Sequence, residues 1–180
     1  MGAGIVGSSL AIGLARLGHE VTVVERSTLG PGPESFGIDV RSIAITPASK
    51  EFLVSLDLWE ETLAQPYRAM SIWEAHGVSN LDFDAKEMEQ NCLGWIVEAK
   101  KIQLDIWKKL DSESVSKITA SPTGLSILRD GIELEFEAKR LNFEFLIGAD
   151  GVSSFVRNQL GIPLKKVSSH HHALASIVRS

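Results

Sequence analysis

The sequence predicts an α/β fold, with a βαβ unit at its amino end and an antiparallel hairpin layer beside it, on three patterns. Gly2, Gly4 and Gly7 stand in the spacing G-x-G-x-x-G directly ahead of a helical stretch. Val21-Thr22-Val23-Val24-Glu25 reads as a buried strand with an acid at its carboxyl end, 23 residues after Gly2. Ser126-Ile127-Leu128, then Arg129-Asp130-Gly131 with an Asp-Gly turn, then Ile132 to Phe136 reads as a hairpin. A glycine-led helix running into a buried strand that ends in an acid makes the core Rossmann-like.

Each element follows in order. Leu10, Ala11, Leu14 and Ala15 share one face at helical spacing, and Gly18 sits where a left-handed residue ends a helix. Residues 27–37 hold three Gly and two Pro, so they form a loop. Thr46 caps a helix with Pro47 at its first position, running to about Leu56. Residues 69–75, 80–84 and 93–98 read as strands; residues 99–110 read as a helix with Ile102, Ile106, Trp107 and Leu110 on one face. Phe143 to Ile147 is a further buried strand, entering Gly148-Ala149-Asp150-Gly151. A short helix from about Ser153 to Leu160 stops at Gly161. Ser153 or Ser154 caps it.

Composition narrows the function. Eighteen Lys and Arg against 23 Asp and Glu leave a net charge of −5 on 180 residues, which gives no general attraction for nucleic acid, and no basic patch compensates. Hydrophobic residues at 44% exclude a disordered chain. Cys92 is the single cysteine, so no internal disulfide forms, and a buried, inert thiol is expected. No apolar run reaches the roughly 18–20 residues that span a bilayer, and no signal peptide is visible. The expectation is a soluble, cytoplasmic protein.

Three glycines at this spacing allow a tight turn, close approach of backbone to a pyrophosphate, and close helix packing. The helix N-terminus favours the anion. Glu25 stands where it can accept from an adenosine ribose, and its charge disfavours a 2′-phosphate, so FAD or NAD is expected over NADP. The competing reading is a glycine-rich turn in an ordinary βαβ unit with a surface Glu. A buried strand should precede the turn, yet Met1 already lies inside the motif. The expectation is therefore a start further upstream or a product without its first strand.

Together, GAGIVG, VVER, VRSIAITPAS and GADGVSSFVR resemble the class A flavoprotein aromatic hydroxylases, and within them the ubiquinone-biosynthesis hydroxylases of bacteria and mitochondria. The tail RNQLGIPLKKVSSHHHALASIVRS is similar to the stretch that follows that family's Asp-Gly motif. The resemblance implies an FAD/NAD(P)-binding domain over residues 1–165 and the start of a substrate-domain sheet at 166–180. It implies FAD as cofactor, with Gly2, Gly4 and Gly7 at the pyrophosphate and Glu25, followed by Arg26, at the adenosine ribose. Arg41 would lie on the flavin side, and Gln103 near the cofactor, although a polar residue on an amphipathic helix explains Gln103 equally. Asp150 and Gly151 would touch the pyrophosphate region and take part in NAD(P)H binding, with Arg157 bracing their turn. The implied activity is a monooxygenase: NAD(P)H reduces the flavin, and O2 supplies the oxygen that enters a polyprenyl-phenol ring on the route to ubiquinone. No residue stands out as the acid or base of that step.

Departures from the family accompany the likeness. Its second FAD motif, Gly-Asp-Ala-Ala-His, and most of its substrate domain are absent, and Ser169-His170 replaces a common Tyr-Gln. The resemblance implies a working place in the cytoplasm or peripherally at the inner membrane, among other ubiquinone-biosynthesis proteins. The alternatives are a non-catalytic FAD-binding fragment, a docking partner in such a complex, and an NAD-dependent dehydrogenase, for which no catalytic His/Lys/Tyr set is visible. His170, His171 and His172 alternate faces on a strand and cannot converge on one metal ion, so no metal site is expected. Trp59, Trp73, Trp95 and Trp107 are read as core residues, and Ser153 and Ser154 lack a His–Asp relay.

Overall fold

A computed structural model describes residues 1–27, 41–61, 64–75, 77–165, 167, 174 and 176. In chain order the elements are α1 (Ile5–Arg16), β1 (Thr22–Glu25), β2 (Ser42–Ile45), α2 (Pro47–Ser55), β3 (Gln65–Tyr67), β4 (Ala69–Trp73), β5 (Asn80–Asp84) and β6 (Gly94–Glu98). Then come α3 (Ala99–Ser112), β7 (Ser116–Thr119), β8 (Gly124–Leu128), β9 (Gly131–Glu135), β10 (Arg140–Phe143) and α4 (Phe155–Gln159). The architecture is mixed α/β. Most of the loop expected at 27–37, most of the substrate-sheet start at 166–180 and the three histidines fall outside the described residues. The chain divides into two compact units, Met1–Pro31 with Gln103–Leu174 and Gly32–Ile102 with Ala175–Ser180.

In the first unit, β1 pairs with β7 in parallel, from Thr22 opposite Ser116 to Glu25 opposite Thr119. Beside them, β8, β9 and β10 form an antiparallel sheet. Val24, Leu134 and Phe136 make a buried cluster, with Met1, Ile118, Leu125, Leu141 and Leu146 packed against it. Leu134 is wholly buried, and removing a side chain of that size from water stabilises the fold by about 2–3 kcal/mol.

Several sequence expectations change here. The apolar face expected on α1 is buried only in part: Ala11 is buried together with Ser8, Ser9 and Ile12, whereas Leu10, Leu14 and Ala15 are half-buried, Leu10 and Leu14 beside a cavity of about 520 Å3. The hairpin turns at Arg129-Asp130 instead of Asp130-Gly131, because Gly131 pairs with Leu128 as the first residue of β9. There it adopts φ +150°, and a Cβ on it would strike the Phe143 carbonyl.

The buried strand expected over 143–147 also differs. Only Phe143 belongs to a strand, β10, and residues 144–150 lie outside any. On the parallel side that stretch meets one residue, Met1. The Met1 nitrogen donates to Ile147 O at 2.9 Å and Ala149 N donates to Met1 O at 2.8 Å. One bridging residue does not propagate a ladder. Strand β7 was not expected from the sequence: Val115 and Ile118, the apolar residues of 115–119, stand three apart and do not alternate.

The second unit holds the antiparallel sheet β2-β6-β3 and the hairpin β4-β5. Helix α2 begins as the sequence requires, with Thr46 Oγ1 accepting from Ser49 N at 3.3 Å ahead of Pro47. Cys92 is buried. The tryptophans are not core residues in the expected sense. Trp59 and Trp95 meet edge-on at 5.7 Å around Lys50, whose Nζ lies 4.2 Å from the Trp95 ring, and Trp73 is exposed.

Candidate functional site

The first turn is held from both ends. Gly2 N donates to Val24 O at 2.9 Å, tying the turn to β1, and Gly2 adopts φ +92°. A Cβ there would strike the Ala149 carbonyl and stand 2.8 Å from Asp150 Cα, so only glycine lets the two turns touch. A Cβ on Gly7 would strike the Gly2 carbonyl. Gly4 and Gly151 differ from these: each would point its Cβ into open space.

That space is a cavity of about 310 Å3, lined among others by Gly2, Gly4, Glu25, Arg26, Gln103, Asp150 and Gly151. The structure thus brings together seven of the ten residues picked from the sequence. Gly7 works behind the turn, as packing. Arg157 lies outside the lining and donates from Nη2 to Val152 O at 2.7 Å, across the Asp150 turn. Arg41 belongs to the second unit, where it is exposed and its carbonyl accepts from Ala99 N at 3.0 Å.

Two carboxylates set the electrostatics. Glu25 closes β1 and holds the turn, accepting from Ala3 N at 2.7 Å with one oxygen and from Arg26 N at 2.8 Å with the other. Gln103 Nε2 approaches Ala3 O at 3.5 Å, the weak limit of a hydrogen bond. Asp150 turns inward to α4. Its Oδ1 accepts from Ser154 Oγ at 2.6 Å, and its Oδ2 from Phe155 N at 2.6 Å and Val156 N at 3.2 Å. Ser154 Oγ in turn accepts from Arg157 N at 3.0 Å, so of the two expected caps Ser154 is the one used. Partial burial opposes the Asp150 charge. The hydrogen bonds from Ser154 and the backbone outweigh it and hold the carboxyl below the usual carboxylate range.

Helix α1, by contrast, starts at Gly4 with no side-chain cap and no acidic residue in its first turn. Its first N–H groups open beside Gly4, a backbone nest and dipole end suited to a diphosphate. Ser121, Pro122, Ser153 and Phe155 also line the cavity and were not singled out from the sequence. Ser121 and Pro122 follow β7, whose residues carry no period-two pattern, so no local signal marked them.

A parallel strand pair, an uncapped glycine-led helix and an acid closing the strand define a dinucleotide-binding domain. A family model described as FAD binding domain matches residues 1–179, and the chain belongs to that family. It is 33% identical to the 3-demethoxyubiquinol 3-hydroxylase of Escherichia coli (strain K12), over 90% of this chain and 43% of that protein. It is 29% identical to the mitochondrial ubiquinone biosynthesis monooxygenase COQ6 of Xenopus tropicalis, over 97% of this chain and 42% of that one. Among solved structures, the flavin-dependent monooxygenase PieE in complex with FAD and substrate has a similar fold, with a TM-score of 0.72 at 17% identity over 92% of this chain and 32% of that one. The chain spans about two-fifths of the length of these two curated relatives.

Proposed function

We propose that this chain supplies the adenosine- and pyrophosphate-binding part of an FAD-dependent monooxygenase that hydroxylates a polyprenyl-phenol in ubiquinone biosynthesis. One observation carries the cofactor reading: the uncapped start of α1 opens, with Gly4 and Gly151, onto a cavity that Glu25 also lines. The residues present fit that half of FAD. The first N–H groups of α1 would take the pyrophosphate, and Glu25, already fixed by two backbone donors, would present its remaining lone pairs to the ribose hydroxyls. Arg26, Ser121 and Pro122 would border the adenine end. Bound FAD supplies electron exchange with NAD(P)H and activation of O2. The chain's own part is to bind and orient the cofactor. The substrate class and the nicotinamide donor rest on the likeness to the ubiquinone hydroxylases. A substrate so lipophilic would place the work peripherally at a membrane surface, alongside other enzymes of the route. Among the described residues no helix is long and apolar enough to cross a membrane.

Titration with FAD, followed by flavin fluorescence, tests the reading. Saturable one-to-one binding is expected, weakened at least tenfold by Gly4→Ala or Glu25→Ala while the fold persists. Folded chain without flavin binding would refute it. Saturable binding without hydroxylation would leave this chain as a cofactor holder only.

A further inference from the structure

Hairpin β4-β5 of the second unit pairs with no other strand among the described residues. Its register sorts the side chains between two faces. Met70 stands opposite Phe83 and Ile72 opposite Leu81, so these four share one face. Ser71 opposite Asp82 and Ala69 opposite Asp84 lie on the other. The first face is wholly apolar, yet Met70, Ile72 and Leu81 are 41%, 50% and 53% exposed. Trp73 and Val78, at the tip, are exposed as well. A two-stranded hairpin with such a face in water is marginal by itself, and an exposed apolar patch marks a contact surface.

Three observations select the partner. Two strands of five residues present a face on the order of 200 Å2, far below the roughly 800 Å2 per partner that a stable protein complex buries. None of the four apolar side chains carries a strong donor or acceptor, whereas a specific protein interface holds about one hydrogen bond per 100–200 Å2. Residues 69–84 contain Glu74, Asp82 and Asp84 and neither Lys nor Arg, so nothing in the hairpin attracts an anionic surface. A lipid layer of no net charge asks for none of these missing features. An exposed indole at the tip suits its headgroup level.

We propose that the β4-β5 hairpin docks on a zwitterionic lipid surface, with Met70, Ile72, Leu81 and Phe83 laid against the lipid and the tip around Trp73 and Val78 among the headgroups. Asp82 and Asp84, on the opposite face, stay in water. The contact is shallow, because the free strand edges keep N–H and C=O groups that hydrocarbon would leave unpaired. This names the contact surface for the peripheral placement proposed above, on which it rests, and it is independent of the cofactor reading.

Flotation of the purified chain with vesicles of phosphatidylcholine alone, without flavin, tests this, so its failure and a failure to bind FAD are read separately. The chain is expected to float with the vesicles. Ile72→Lys or Leu81→Lys should lower the bound fraction about fivefold or more, and Ser71→Lys or Asn80→Lys, on the opposite face, less than about twofold. Added salt should leave the bound fraction unchanged, and replacing part of the phosphatidylcholine by phosphatidylglycerol should lower it. Acrylamide quenching of tryptophan fluorescence should fall on binding, and Trp73→Phe should abolish that fall. Ile72→Thr with Leu81→Thr keeps strand propensity and repeats the comparison if the lysine variants do not fold. Three results would each overturn the proposal: no flotation, equal loss from variants on both faces, or binding that requires anionic lipid. A concentration-dependent dimer that Ile72→Lys breaks, in a chain that does not float, would give the face to a second copy instead.

Discussion

Two helix starts flank the same cavity and are finished differently. Helix α4 is closed by its own chain: Asp150 accepts from Phe155 N and Val156 N, and Ser154 from Arg157 N. Helix α1 is left open behind Gly4, with no side-chain cap. An anion placed at α4 would compete with a carboxylate already seated there, whereas α1 offers donors without a competitor. Under the proposed function, the difference favours α1 as the anion cradle and leaves Asp150 as a support for the second turn. The turns are also joined, because Gly2 lies against Ala149 and Asp150.

The sharpest way to break this arrangement is to force the turns apart. Gly2→Ala sets a Cβ against the Ala149 carbonyl at φ +92°, and Gly7→Ala sets one against the Gly2 carbonyl. Both should cost about 3 kcal/mol or more, read as a fall in the thermal or urea midpoint. Gly4→Ala meets no neighbour and should leave the midpoint almost unchanged. If Gly4→Ala destabilises as much as Gly2→Ala, the division between packing and open glycines is wrong.

Removing the α4 cap is a smaller blow. Asp150→Ala strips the partners from Phe155 N, Val156 N and Ser154 Oγ and should cost about 1–2 kcal/mol. The loss should show as faster exchange over residues 151–159 before any global unfolding. Unchanged exchange there would show that Asp150 is not the cap the geometry makes it.

Much of this was legible in the sequence because local chemistry set it. The glycine spacing, the acid ending β1, the Thr46-Pro47 helix start and the strand at Asn80–Asp84 are each local patterns, and each appears in the structure. What misled was context. Residues 143–147 have strand composition, but a strand needs a neighbour, and along most of that stretch the parallel neighbour is a cavity. The side-chain role of Asp150 was also hidden. An Asp in a tight turn can face a ligand or cap the helix that follows, and only the position of Phe155 N and Val156 N decides between them.

The smallest expected effect, and the one that separates the two helix starts most cleanly, is their response to acid. Asp150 has its carboxyl held below the usual range, so the folded state favours its charged form. The stability this contributes is fully present above the unfolded-state pKa and is lost as pH falls through the lower folded-state value. Helix α1 has no carboxylate cap to protonate. Lowering the pH through the acid range should therefore accelerate exchange over 151–159 before it affects residues 5–16, and Asp150→Asn should remove that difference by making the α4 segment exchange fast at every pH. Equal acceleration in both segments of the unsubstituted chain would mean that global unfolding, and not the Asp150 cap, governs the response.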